Sequence, residues 1–139
     1  MARTAIVTGG SRGIGAAISK ALKAEGYRVV ANYAGNDEAA HKFKAETGIE
    51  VRKWDVSDYA ACESNLNAIE NEIGPIDILV NNAGITRDAM FHKMAPEQWY
   101  AVINTNLNSL FNMTRPIWDG MRSRGYFFTA SRRVPIDLS

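Results

Sequence analysis

The segment Thr8-Gly9-Gly10-Ser11-Arg12-Gly13-Ile14-Gly15 has the residue types and spacing best suited to hold a ligand. An apolar run, Thr4-Ala5-Ile6-Val7-Thr8, feeds straight into it. A stretch with Ile14, Ala17, Ile18, Ala21 and Leu22 at helical spacing leaves it. Glycines in such a turn let the chain bend sharply and let a diphosphate approach the backbone. The N–H groups at the helix start, backed by the helix dipole, then face the anion. Turns also use glycine for steric reasons alone, but strand, turn and helix in this order point to a dinucleotide.

Which dinucleotide depends on the end of the next strand, Arg28–Tyr33. A site for NAD usually places Asp or Glu there, about 20 residues after the glycines, to accept from the ribose 2′-hydroxyl. Asn32-Tyr33-Ala34 takes that place here, and Arg12 lies in the turn. A carboxylate repels a 2′-phosphate, whereas a neutral Asn32 with a guanidinium nearby accommodates one, so these residues point to NADP(H). The plainer alternative makes Arg12 a solvated turn residue. Asp55 and Val56 follow the third strand, where a carboxylate can accept from an adenine amino group, cap the next helix, or do both. Asn81-Asn82-Ala83-Gly84-Ile85 follows the fourth strand, at the sheet edge where such folds bind ligands. Small residues there let the backbone lie against a cofactor ring, and the amides can tie neighbouring strands.

The elements that must position these residues alternate strand and helix. Helices are predicted over 13–25, ended by Gly26, and over 37–46. Ile49–Trp54 reads as a strand with one wetter face, and Ser57 or Asp58 as the cap of a helix carrying Ala61, Leu66, Ile69 and Ile73. Ile76–Val80 reads as a strand buried on both faces. Pro96 opens a long helix on which Trp99, Val102, Ile103, Leu107, Leu110, Met113, Ile117 and Met121 form one stripe, with a kink expected at Pro116. Phe127–Ser131 reads as a short fifth strand, and 132–139 fits neither period. The class is α/β: a Rossmann-type doubly wound parallel sheet, truncated after about the fifth strand. Residues 1–126 form a partial NADP-binding domain and 127–139 a tail of different character.

Composition narrows the function classes. With 139 residues, 46% of them apolar, one domain can bury a core without disulfides or metal. The single cysteine, Cys62, excludes an internal disulfide and reads as a small core residue. No apolar run approaches the ~20 residues of a membrane-spanning helix, and the opening residues are a strand rather than a signal peptide. A net charge of +1 suggests neither nucleic acid nor an anionic membrane as partner, so a cytoplasmic location is expected.

Thr8-Gly9-x-x-x-Gly13-x-Gly15, Asp55-Val56, Asn81-Asn82-Ala83-Gly84 and Asn104-Thr105-Asn106-Leu107 together resemble the short-chain dehydrogenase/reductase family. The resemblance runs to about Tyr126, nearly the whole of this chain but the amino-terminal half of the family fold. Within the family, Gly84-Ile85-Thr86-Arg87-Asp88 and 106–112 are similar to the acetoacetyl-CoA reductases of polyhydroxybutyrate synthesis, with 3-oxoacyl-carrier-protein reductases as the next most similar group. The resemblance implies NADPH-dependent reduction of a 3-oxoacyl thioester, a small-molecule substrate, to the (R)-3-hydroxyacyl form. It also implies that Asp88 sits beside the acyl group and that Asn106 completes a proton relay.

The family further uses a Tyr, a Lys four residues on, and a Ser. No Tyr-x-x-x-Lys occurs in these 139 residues, and the place of the Ser falls on Arg133 and Val134, with Ser131 out of register. The expectation is a chain that binds NADP(H) without turnover, either a reductase fragment or a non-catalytic NADP-binding module. A change of reading frame or an early stop near Tyr126 would leave this pattern. The resemblance places the 96–122 helix at a subunit interface, so a homo-oligomer or other self-association is expected, aided by an apolar strand at the sheet edge.

Overall fold

The computed structural model of the protein describes residues 2–85, 89–125 and 128–131. Ala5, Ile6 and Val7 lose all contact with solvent because β1 (Thr4–Val7) runs through the middle of a five-stranded sheet. Glycines end that strand, and α1 (Gly13–Ala24) returns the chain to β2 (Arg28–Tyr33). The pattern then repeats through α2 (Asp37–Thr47), β3 (Glu50–Lys53), α3 (Tyr59–Glu72) and β4 (Ile76–Asn81). After a short 3₁₀ turn, Phe91–Lys93, come α4 (Pro96–Ile103), α5 (Ser109–Arg124) and β5 (Phe128–Ser131).

All four strand pairings are parallel, in the order β3-β2-β1-β4-β5. This is the doubly wound sheet expected from the alternating pattern, with a reversal of strand order between β1 and β4. Crevices for ligands form at that reversal, outside the carboxyl ends of the strands. Two apolar layers hold the sheet. Ile6, Leu66, Leu79, Met113, Ile117 and Met121 pack in the layer that α3 and α5 cover. Val7, Val29, Phe43, Ile49 and Val80, with Ile18 and Leu22, fill the layer under α1 and α2. As read from the sequence, β4 is buried along its whole length.

The long helix departs from its predicted stripe. Asn104–Asn108 form a π turn between α4 and α5. A π turn adds a residue to the ladder and so rotates everything after it around the axis. Val102, Met113, Ile117 and Met121 are buried as expected, but Leu107 is 57% exposed. Trp99, Ile103 and Leu110 are half-buried, so the stripe is two faces joined by a twist. The helix runs on unbroken through Pro116.

At the amino end of β4 a buried carboxylate, Asp77, joins residues near the two ends of the described chain. Asp77 Oδ1 accepts from Arg124 Nε at 3.0 Å, and Arg3 lies 3.4 Å from its other oxygen. The Arg124 guanidinium also donates to the Ile76 carbonyl at 2.7 Å.

Candidate functional site

A cleft of about 460 Å³ opens at the carboxyl ends of β1, β2 and β4. Five of its lining residues are Gly9, Ser11, Arg12, Gly13 and Ile14 of the glycine turn. The end of β2 supplies Asn32, Tyr33 and Ala34, the end of β3 Asp55 and Val56, and the end of β4 Asn82, Ala83, Gly84 and Ile85. The sequence reading placed all of these at one site. It did not find Gly35, Asn36, Ala39, Trp54 and Thr105, which line the same cleft.

The turn is shaped by two glycines in the left-handed region, Gly9 at φ +59° and Gly13 at φ +55°. A Cβ on Gly13 would meet nothing within 4 Å, so the backbone there is open to the cleft. Helix α1 begins at this glycine without a side-chain cap or an acidic residue in its first turn. By contrast, Asn36 caps α2 through Ala39 N–H, and Asp58 caps α3 through Ala61 N–H. The first bond of α1 runs from Ala16 N–H to the Arg12 carbonyl at 3.1 Å, so the N–H groups of Gly13, Ile14 and Gly15 precede its ladder. An open glycine, an uncapped helix start and Arg12, which makes no ion pair among the described residues, fit a diphosphate group.

Gly15 is a correction. It was expected to touch the cofactor, but it is buried and does not line the cleft. A Cβ there would lie 1.9 Å from the Gly9 carbonyl oxygen and 2.6 Å from Asn82 Nδ2. Its glycine serves close packing of α1 on the turn. Gly10 is equally confined, with Val7 O and Ser19 Oγ within 2.9 Å of a Cβ. Sequence spacing alone does not separate these two roles from that of Gly13.

Asn32 lines the cleft, yet its side chain is committed. Nδ2 donates to the Trp54 carbonyl at 2.9 Å, and Oδ1 accepts from Gly9 N–H at 3.4 Å. The amide therefore ties β2, the β3 exit and the glycine turn together. The buried Tyr33 hydroxyl donates to Asp37 Oδ1 at 3.1 Å. Burial, reinforced by that carboxylate, raises the phenol's pKa. Asp55 does not cap α3, which closes one alternative. Its Oδ1 accepts from both Ser57 N–H, at 2.9 Å, and Ser57 Oγ, at 2.7 Å, and folds the β3 exit into a turn.

Asn82 ties strands, as its amide allowed. Nδ2 donates to the Thr8 and Gly9 carbonyls at 3.1 and 3.2 Å, and Thr8 Oγ1 accepts from the N–H groups of Asn82 and Ala83, both at 2.9 Å. Asn106 does not line the cleft. Its Oδ1 accepts from Ile85 N–H at 2.8 Å and its Nδ2 donates to the Ile85 carbonyl at 2.9 Å, so the π turn pins the loop after β4. On this geometry Asn106 is a positioning residue. Asn112 acts likewise on the other wall, donating to the Val56 carbonyl at 3.0 Å. Its place next to Met113 in the apolar stripe was the signal the sequence held for it. Asp88 lies outside the described residues. Cys62 is buried under the β3 exit, and burial pushes its thiol up to about 11.

The family described as short chain dehydrogenase matches residues 3–126. An acetoacetyl-CoA reductase of Shinella zoogloeoides is 70% identical over 126 residues, covering 91% of this chain and 52% of that protein. One from Paracoccus denitrificans is 68% identical over the same shares. A 3-oxoacyl-[acyl-carrier-protein] reductase of Vibrio harveyi is 40% identical, covering 88% of this chain and 50% of its own. The chain thus spans about half the length of the curated relatives it matches.

Proposed function

We propose that this chain, which belongs to the short-chain dehydrogenase family, supplies the NADP(H)-binding half of a 3-oxoacyl thioester reductase. The observation that carries the reading is the uncapped start of α1, opening at Gly13 onto the cleft with Arg12 beside it. There the free N–H groups of the first turn hold the diphosphate. Asp55 accepts from the adenine amino group through the oxygen that its turn leaves unused. Ala83 and Gly84 let the nicotinamide lie against the backbone, and Asn106 fixes Ile85 behind it. When bound, the reduced dinucleotide supplies a hydride to the substrate ketone.

Acetoacetyl-CoA reductases match at 70% and 68% identity against 40% for the carrier-protein reductase, which favours a CoA thioester as substrate. Asp88 is proposed beside its acyl group. The oxygen that receives the hydride needs a proton donor, worth about 100- to 10,000-fold in rate. The 139 residues contain no Tyr-x-x-x-Lys to provide one. The chain as it stands therefore binds NADP(H) without reducing ketones. Tyr100, Leu107, Phe111 and Trp118 leave an exposed apolar face along α4 and α5, the surface proposed for self-association. Among the described residues no helix is long and apolar enough to cross a membrane.

Titration with NADPH, followed by its fluorescence, alongside acetoacetyl-CoA turnover tests both parts. Saturable binding without turnover is expected. A folded sample that binds no NADPH refutes the site, and measurable reduction refutes the inactivity.

A further inference from the structure

The end of β2 meets the 2′ side of an adenosine ribose in folds of this type. Here the two last strand residues carry no charge, and the nearest carboxylate stands one layer behind them. Asp37, at the first position of α2, accepts from the Tyr33 hydroxyl at 3.1 Å, and Tyr33 lines the cleft. Left alone, that carboxylate would repel a phosphate at this end. It is not left alone. Lys53, the last residue of β3, is paired in register with Tyr33. Its ammonium reaches both Asp37 oxygens, at 3.2 and 3.3 Å.

We propose that Lys53, by neutralising Asp37 behind Tyr33, is a specificity-determining residue that lets this end of the cleft accept a 2′-phosphate. The inference rests on the dinucleotide reading above and adds to it the residue that sets the choice between the two dinucleotides. The charge count supports it. Asp37 and Lys53 cancel behind the lining, Glu38 has no role in it, and of the two charged side chains that line the cleft Arg12 stands in the glycine turn and Asp55 at the β3 exit, on the side proposed for the adenine. The lowered pKa of Asp37, chiefly from its bond with Lys53, agrees with a carboxylate held charged and paired. Removing the ammonium exposes a full negative charge to a dianionic phosphate across a solvated rim. Such a change weakens binding on the order of three- to tenfold at low salt.

The test uses two fragments that differ only at the ribose, adenosine 2′,5′-bisphosphate and adenosine 5′-diphosphate, with NADPH and NADH as whole ligands. Dissociation constants are measured for the wild-type chain, Lys53→Met, Asp37→Asn and the double variant, each checked for folding by circular dichroism. Lys53→Met should weaken the two 2′-phosphorylated ligands by about three- to tenfold and leave the other two within about twofold. Adding Asp37→Asn should restore them, because the charge that Lys53 offsets is then gone. Equal weakening of all four ligands, no weakening, or no restoration overturns the proposal while leaving the dinucleotide site intact. If the folded wild-type chain binds none of the four, the site itself is refuted, and this inference falls with it.

Discussion

Replacing Gly15 with alanine puts a methyl carbon 1.9 Å from the Gly9 carbonyl oxygen and 2.6 Å from Asn82 Nδ2. Real Cβ contacts stay beyond 3.0 Å, so the first turn of α1 must retreat by about 1 Å from the strand end it packs on. Overpacking against backbone typically costs about 1–3 kcal/mol. The same shift disturbs the two bonds that Asn82 Nδ2 donates to Thr8 and Gly9, each worth about 1 kcal/mol. Alanine's usual advantage over glycine in a helix, about 1 kcal/mol, offsets part of this. The net expectation is a loss of roughly 2–4 kcal/mol, or roughly 10 °C in Tm for a domain of this size. Gly13→Ala is the control. It meets no atom within 4 Å, and its left-handed backbone costs only about 1–2 kcal/mol. Its methyl projects where the diphosphate is proposed, so NADPH affinity should fall more than stability does. Urea unfolding and NADPH titration on both variants separate the two roles. A Gly15→Ala chain no less stable than Gly13→Ala would refute the packing role assigned to Gly15.

Asn106→Ala removes both bonds to the Ile85 backbone and should cost about 1–2 kcal/mol. Amide exchange at Ile85 should accelerate well beyond that of Asn82, and equal protection in both chains would dismiss the clamp. Asp77→Asn takes the charge from a carboxylate held by Arg124 and Arg3. A loss of about 1–2 kcal/mol in urea is expected, and an unchanged midpoint would show that the clamp contributes nothing. Cys62 is a thiol whose pKa is raised to about 11 by burial, against about 9 when unfolded. The unfolded chain therefore binds fewer protons between pH 9 and 11, and stability present below pH 9 should decline by about 2 kcal/mol across that window. In Cys62→Ala the decline should be shallower. Identical slopes would contradict the shift.

The strands were legible because β1, β2 and β4 are largely apolar runs and Glu50–Lys53 lies in a period-two alternation. Arg28–Tyr33 needs no adjustment at all. The carboxyl ends of α1 and α2 moved by one residue, to Ala24 and Thr47, while both helices start where the apolar spacing placed them. The twist at Asn104–Asn108 was not legible. No local repeat encodes it, and the bond that accompanies it joins Asn106 to Ile85, 21 positions away. The three roles of glycine in the turn were also merged in the sequence, because bending, open backbone and close packing all demand the same missing Cβ.

Asparagine does much of the positioning around the cleft, and its chemistry explains why. Asn32, Asn82, Asn106 and Asn112 each reach from one element to backbone atoms of another. In all four the amide nitrogen donates to a carbonyl, and in Asn32 and Asn106 the oxygen also accepts from an N–H. A carboxylate of the same shape cannot donate when ionised, so it would lose the bond and face the carbonyl with a charge. This bears on the end of β2. An aspartate at position 32 would supply the acceptor that an NAD site uses, but would break the bond to Trp54 that fixes the β3 exit. Asn32 therefore couples two properties: the wall stays neutral where the 2′-phosphate is proposed, and Trp54 and Asp55 keep their place on the side proposed for the adenine. Changing the preferred dinucleotide at that residue would disturb both ends of the proposed adenosine pocket at once, whereas Lys53 and Asp37 lie outside that hydrogen-bond frame.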